Sequence, residues 1–290
     1  MTKTTPMPNK YHTLLKHVNV SRVRFRGPTQ LQPAMFVLVN ERGESIRKCP
    51  GLTRVLRRAF PVAELPQRRC AAVSYPRKRL PWYLVRPSSS SSGTKFVCGG
   101  TNDREHGIAV DEQLSYFVLH GGERFAMAYP QPDPCVASLL AYVKNTLRWV
   151  PICTQQHIYA PSLGGFATAI DLLCTDEATR SELHVVEIKA TKRVARGADA
   201  DSFERITGYG SGALRGLPLS YCSRAQLQLW AMVHTLERDC DTHIDSASVM
   251  RISPSRVDHY ELNPWFLRRE RALVRRISSI AAKPKKTTRR

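Results

Sequence analysis

Long apolar runs are missing from this 290-residue chain. Nothing in it approaches the roughly 18 consecutive apolar residues that a membrane-spanning helix requires. The start carries no apolar core of the kind a secretory leader uses, so a soluble, non-secreted protein is the expectation. Clustered cysteines are missing too. The eight cysteines, at 49, 70, 98, 135, 153, 174, 222 and 240, lie scattered, without a CxxC pair or a histidine couple at zinc-finger spacing. They read as reduced thiols of an intracellular protein. Neither a Gly-rich phosphate loop, nor a nucleotide-cofactor fingerprint, nor a Ser-His-Asp order is visible.

Acid is the other scarcity, and it is local. The first 40 residues contain no Asp or Glu, and residues 1–100 hold 19 Lys and Arg against 3 acids. Residues 268–290 hold 10 basic residues and 1 acid, whereas residues 101–267 hold 15 basic and 20 acidic residues. The net charge of +20 therefore belongs to the two ends, around a mildly acidic centre. That distribution suits catalytic acids in the middle and a polyanion held by the flanks. Basic tails that serve only solubility or nuclear import are the plainer alternative.

The same pattern divides the chain into a basic accessory region over 1–95, a core over 96–267 and a basic helix and tail over 268–290. Residues 34–60 read as a strand, a turn at Arg42-Gly43 and a short basic helix, and the serine run at 88–92 marks a linker. Apolar stripes predict helices around Val110, Leu114, Phe117 and Val118, and from Pro134 to Val150. PICTQQHIYAP, GFATAIDLLCT and LHVVEIKAT read as three consecutive strands of a meander. SRAQLQLWAMVHTLERD reads as a helix with Ser223 as its N-cap. SASVMRIS and RVDHYELN read as two more strands, followed by a basic helix from Pro264 and a KPKKTTRR tail.

The chemistry gathers in IDLLCTDEATRSELHVVEIKAT. Side chains alternate across a strand, so Glu187 and Lys189 share a face and Val186 and Ile188 point into the opposite layer. Asp171, on the neighbouring antiparallel strand, can converge with Glu187 on a hard cation, which prefers oxygen ligands; the carbonyl of Ile188 can add another. Asp176, Glu177 and Glu182 read as solvated turn residues. Hydrolysis of a phosphodiester needs a polarising cation, an activated water and neutralisation of developing charge, and Lys189 supplies the cation for the last of these.

Asp171, then Glu187-Ile188-Lys189, then a helix with Gln226 and Trp230 four residues apart resembles the PD-(D/E)XK nuclease superfamily, in its RecB-like and lambda-exonuclease-like branch. Glu-x-Lys alone is common on solvated sheet faces; the order of the elements carries the resemblance. Ile170 stands where the family has its proline, and Trp230 stands where it usually has tyrosine. Gly107-Ile108-Ala109-Val110-Asp111 resembles the upstream Gly-x-x-x-(His/Glu) element, with Asp111 at the ligand position and Glu112 as an adjacent competitor. On the strand before Asp171, Gln155 and Gln156 replace the glutamate that family members often carry.

The resemblance implies an α/β (α+β) fold with a central mixed β-sheet flanked by helices and a restriction-endonuclease-like core. It implies Mg²⁺ or Mn²⁺ held by Asp171, Glu187, Ile188 and Asp111, and catalysis by Asp171, Glu187, Lys189 and Gln226. The implied activity is a deoxyribonuclease, an exonuclease on double-stranded ends or single strands, in replication, recombination or repair. Lys192, Arg193, Arg205 and Arg224 are the cations expected to meet phosphate. His106, His157 and His184 are not needed by an oxygen-donor site, and Trp230 reads more simply as a core aromatic than as a base-stacking one. Two other classes fit the charge: a nuclease fold that only binds nucleic acid, and a basic RNA-binding or virion-type protein whose motif is coincidental. PRKRLP and KPKKTTRR read as import signals, which favours a nuclear over an organellar setting.

Overall fold

Alternating side chains and β-branched residues make 149–190 a run of three strands, and the computed structural model pairs them as a meander. It describes residues 22–26, 35–39, 45–60, 103–191 and 203–281. Strand β4 (Trp149–Ala160) pairs antiparallel with β5 (Phe166–Asp176), and β5 pairs antiparallel with β6 (Leu183–Ala190). After β6 the chain crosses through helix α4 (Tyr221–Asp239) and returns as β7 (Ser246–Ser253), which lies parallel to β6. A parallel return requires such a crossover. Strand β8 (Arg256–Glu261) then adds antiparallel at the edge, giving a mixed five-stranded sheet in the order β4-β5-β6-β7-β8.

Helices cover both faces. Helix α2 (Asp103–Ala128) and helix α3 (Pro134–Tyr142) bury Val110, Leu114, Val136 and Leu139 against Leu172, Val186, Ile188 and Met250. On the opposite face α4 buries Leu229, Trp230 and Val233 in one core with Leu173, Val185 and Val249. This is an α/β architecture. Val185 and Val186 serve different layers, so β6 is apolar on both faces, as a central strand is expected to be.

The boundaries drawn at 95 and 267 are not breaks in packing. Helix α1 (Leu52–Ala59) lies in the first region and helix α6 (Glu270–Ala281) in the last. Leu52, Val55, Leu273 and Ile277 nevertheless join the α4-side core. Helix α5 (Pro264–Arg268) leads into α6 and buries Phe266 in the same core. Residues 45–49 form a strand that the sequence pattern did not reveal. In full, β1 (Arg22–Arg26), β2 (Met35–Val39) and β3 (Ser45–Cys49) make a small antiparallel sheet. Its Leu38 and Cys49 pack on Tyr159 and Ala167 of β4 and β5. The turn expected at Arg42-Gly43, the serine linker and both import-signal stretches lie outside the described residues. Among those residues no helix is long and apolar enough to cross a membrane.

Candidate active site

The backbone ladder between β5 and β6 runs from Thr175↔Leu183 to Leu172↔Val186 and stops there. One step further, that register would set Asp171 opposite Glu187. The Asp171 carboxylate replaces the missing backbone acceptor, and the Ile188 amide donates to its Oδ2 at 2.9 Å. The two strands part where their acids face each other, and a cleft of about 480 Å³ opens there. Asp111 of α2, Asp171 of β5, and Glu187 and Lys189 of β6 all line it. A side chain 60 residues upstream of the hairpin is thus brought to the hairpin's open end. Gly107, one turn before Asp111, lines the same wall, while Glu112 points away and is exposed.

The electrostatics of the cleft are crowded. Glu187 is fully buried; its Oε1 pairs with Lys189 Nζ and its Oε2 has no hydrogen-bond partner. Burial first, and then the Asp171 charge, pushes the Glu187 carboxyl up to about 8. The same two causes push Asp111 up to about 8. Asp171 is also raised, by burial, against the opposing pull of Lys189 and its hydrogen bonds from the Ile188 amide and the Gln155 side chain. Burial acts to lower the Lys189 ammonium, but Glu187, Asp171 and Asp111 outweigh it and the net shift is upward. Lys189 is therefore a firmly protonated cation: it can donate hydrogen bonds and neutralise charge, and it has no free lone pair to act as a base.

Three carboxylates, one of them with an orphaned buried oxygen, make an all-oxygen donor set of the sort that Mg²⁺ or Mn²⁺ accepts. Left without a cation, such a set costs free energy through repulsion and desolvation. Asp111, Asp171 and Glu187 fit that ion. Ile188 lines the cleft too, with its amide committed to Asp171.

Gln226 is not in the cleft. Its amide donates to the Glu261 carbonyl at 2.8 Å and its Oε1 accepts from the Asn263 amide at 2.8 Å, so it latches α4 to the end of β8. Tyr221, Arg224, Ala225 and Gln228 form the stripe of α4 that lines the cleft instead. Two residues along a helix turn the side chain by about 200°, so Gln226 and Gln228 face opposite ways. The helix also begins earlier than the sequence indicated, capped by Ser220, whose Oγ accepts from the Ser223 amide at 3.0 Å. Trp230 is a core residue, 1% exposed. Arg224 reaches the cleft; Arg205 is exposed in the segment before α4, and Lys192 and Arg193 lie outside the described residues.

Two participants escaped the sequence reading. Gln155 sits in left-handed backbone (φ 49°) between the pairs Thr154↔Leu172 and Gln156↔Ile170, whose common register sets it across from Asp171. Non-glycine residues seldom adopt that conformation; the Gln155 side chain hydrogen-bonds to the Asp171 carboxylate. Its signal was an amide on the strand before Asp171, where the motif order that the chain resembles often has a glutamate. Arg251 of β7 lines the cleft beside Lys189, and no motif marks it.

A second group of metal-type ligands lies elsewhere. The ligand atoms of His106, Asp133 and Cys135 fall within 4.8 Å of one another and could hold a metal ion. The three are also a helix junction: Asp133 caps α3 by accepting from the Cys135 amide at 2.9 Å, and its other oxygen meets His106 Nε2 at 3.1 Å. Burial, with Asp133 beside it, pushes the Cys135 thiol up to about 12, which disfavours the thiolate a soft metal would need.

Comparison with known proteins adds little. No family model matches the chain, and no curated protein matches it. Among solved structures that do match, one described as the crystal structure of SSO0001 is similar at a TM-score of 0.24 and 14% identity, over 59% of this chain and 71% of that one. A likeness that low carries no argument about function.

Proposed function

We propose that the protein is a Mg²⁺- or Mn²⁺-dependent deoxyribonuclease with a restriction-endonuclease-like core of the PD-(D/E)XK kind, acting as an exonuclease in replication, recombination or repair. One observation carries this reading: Asp111, Asp171, Glu187 and Lys189, named by motif order from three separate stretches of sequence, line a single cleft. A coincidental motif has no reason to converge in space.

A bound divalent cation would polarise the scissile phosphate and lower the pKa of water. The chain's own residues do the rest. Asp111, Asp171 and Glu187 hold the cation, with Asp171 fixed by the Ile188 amide and Gln155. Lys189, anchored by Glu187, presents its ammonium to the attacking water or to a phosphate oxygen and neutralises charge as it develops. Arg224 and the basic ends attract the polyanion.

The test is cleavage of end-labelled linear DNA and closed circular DNA by wild type and Lys189→Ala, with Mg²⁺ and with chelator. Wild type should degrade the linear form only, and only with Mg²⁺. Lys189→Ala should lose about 10²–10³ in rate, as is usual when an electrostatic stabiliser is removed. No cleavage by wild type, or equal cleavage by the variant, defeats the reading.

A further inference from the structure

Arg251 and Lys189 are neighbours in the parallel register of β6 and β7, so their side chains leave the same face of the sheet and enter the same cleft. Helix α4 packs on that face and contributes Arg224 to the cleft. Each guanidinium lies over an aromatic ring that also lines the cleft: Arg224 is 4.8 Å from the Tyr221 ring centroid and Arg251 is 5.5 Å from that of Phe203. The Phe203 ring is itself held: the Phe203 carbonyl accepts from the Cys222 amide at 2.9 Å, and the ring packs on Tyr260 at 5.7 Å between centroids. A planar cation stacked on a ring is oriented by it, and a guanidinium fork matches the oxygens of a phosphate.

The cleft therefore has more cationic reach than one phosphate needs. Lys189 stands among the carboxylates, where the reacting phosphate would lie. Arg251 is one strand further across the sheet, about 5 Å away by the ordinary spacing of strands, and Arg224 comes from the helix that covers it. Successive phosphates along an extended strand are several ångströms apart, so a cation one strand over meets the next one.

We propose that Arg251 and Arg224 form a subsite for the backbone phosphate adjacent to the one cleaved, which makes the preferred substrate a chain with at least two consecutive phosphodiesters. This rests on the nuclease reading above for which phosphate is cleaved. The subsite itself is a binding property. Arg251 and Arg224 act there as binding residues, away from the reacting atoms.

The experiment is displacement of a fluorescein-labelled oligothymidylate from the full-length protein, followed by fluorescence anisotropy in Ca²⁺. The competitors are the trinucleotide TpTpT and the same trinucleotide with either linkage replaced by an uncharged methylphosphonate. Wild type should prefer the native trinucleotide over at least one methylphosphonate form by tenfold or more. Arg251→Ala and Arg224→Ala should each shrink that preference to about threefold or less, with melting temperatures near wild type. Arg251→Lys should not restore it, because an ammonium lacks the fork. Arg238→Ala, on the far end of α4, serves as the control and should leave it unchanged. If both arginine variants discriminate as wild type does, or if Arg238→Ala loses as much, the subsite is refuted. Should wild type prove unable to cut DNA at all, the nuclease reading falls, while this binding result still decides the subsite.

Discussion

Glu187 is fully enclosed, with one oxygen on Lys189 and the other facing nothing, and Asp111 and Asp171 add their charges to the same space. If the cluster holds the proposed cation, then without that ion it should weaken the fold. Asp111→Asn removes a carboxyl that burial and the Asp171 charge make costly to ionise, while keeping the side-chain shape. In chelator the variant should melt above wild type, by about 2–4 °C if the relief is on the order of 1 kcal/mol. Wild type should gain stability with Mg²⁺, about 2.7 kcal/mol at a hundred times the dissociation constant, and Asp111→Asn should lose most of that gain. Differential scanning calorimetry with and without Mg²⁺ reads both effects; a metal-free variant that melts below wild type would show that an ionisable carboxyl at 111 does not cost the fold stability. At this scale the sequence was informative where chemistry dictates the letter. Asp111, Asp171, Glu187 and Lys189 were legible as a group because the proposed chemistry calls for acids and a cation in that order, and all four line one cleft. Arg251 was not, because an arginine on a strand has no spacing signature, and only the pairing of β6 with β7 sets it beside Lys189.

Elements were legible where burial imposes a period. The β4-β5-β6 meander and helix α2 announced themselves through alternation and an apolar stripe. Strand β3 did not, because Arg47 and Lys48 are exposed and Cys49 is buried, which leaves its SIRKC segment with little pattern. Helix α4 shows the limit of letter matching: two glutamines two residues apart look equivalent in a motif, but the helix phase is fixed by Leu229, Trp230 and Val233 in the core, and that phase sends Gln228 to the cleft and Gln226 to β8. The start of β6 carries a pH-dependent load of its own. His184 stacks on Trp149 at 4.1 Å, bonds Ser246 Oγ through Nδ1 at 2.8 Å, and leaves Nε2 buried without a hydrogen bond, 4.0 Å from Glu182 Oε2. Burial lowers its pKa, although Glu182, Asp245 and Asp176 pull the other way. His259, across Trp149 and bonded to Tyr142, is lowered as well. A histidine lowered in the fold is neutral there and charges more readily once unfolded, so its contribution is complete above the unfolded value near 6.5 and is lost as pH falls below it. The urea midpoint should therefore drop between pH 7.5 and 5.5, and drop less in His184→Gln; parallel losses in the two proteins would assign the pH dependence elsewhere.

Charge organises the whole molecule. The cleft gathers acids in the middle of the chain, while the excess of basic residues falls in 1–100 and 268–290, much of it outside the described residues. Under the proposed reading, acids that bind a cation would by themselves repel a polyanion, and the basic ends would supply the attraction that brings DNA to the site, so that the two functions separate by position. Attraction of that kind works through release of counterions, with about 0.7 to 0.9 units of log-log salt slope for each phosphate neutralised. The tail after Ala281 carries Lys283, Lys285, Lys286, Arg289 and Arg290. Replacing these five with glutamine in the full-length chain should flatten the salt dependence of DNA binding by about 1 to 4 units, depending on how many meet phosphate. It should weaken binding most at low salt and leave the methylphosphonate discrimination of the cleft intact. Anisotropy titrations from 50 to 200 mM salt would measure the slope. An unchanged slope would mean that the tail does not touch DNA, and the attraction would then have to come from the first 100 residues.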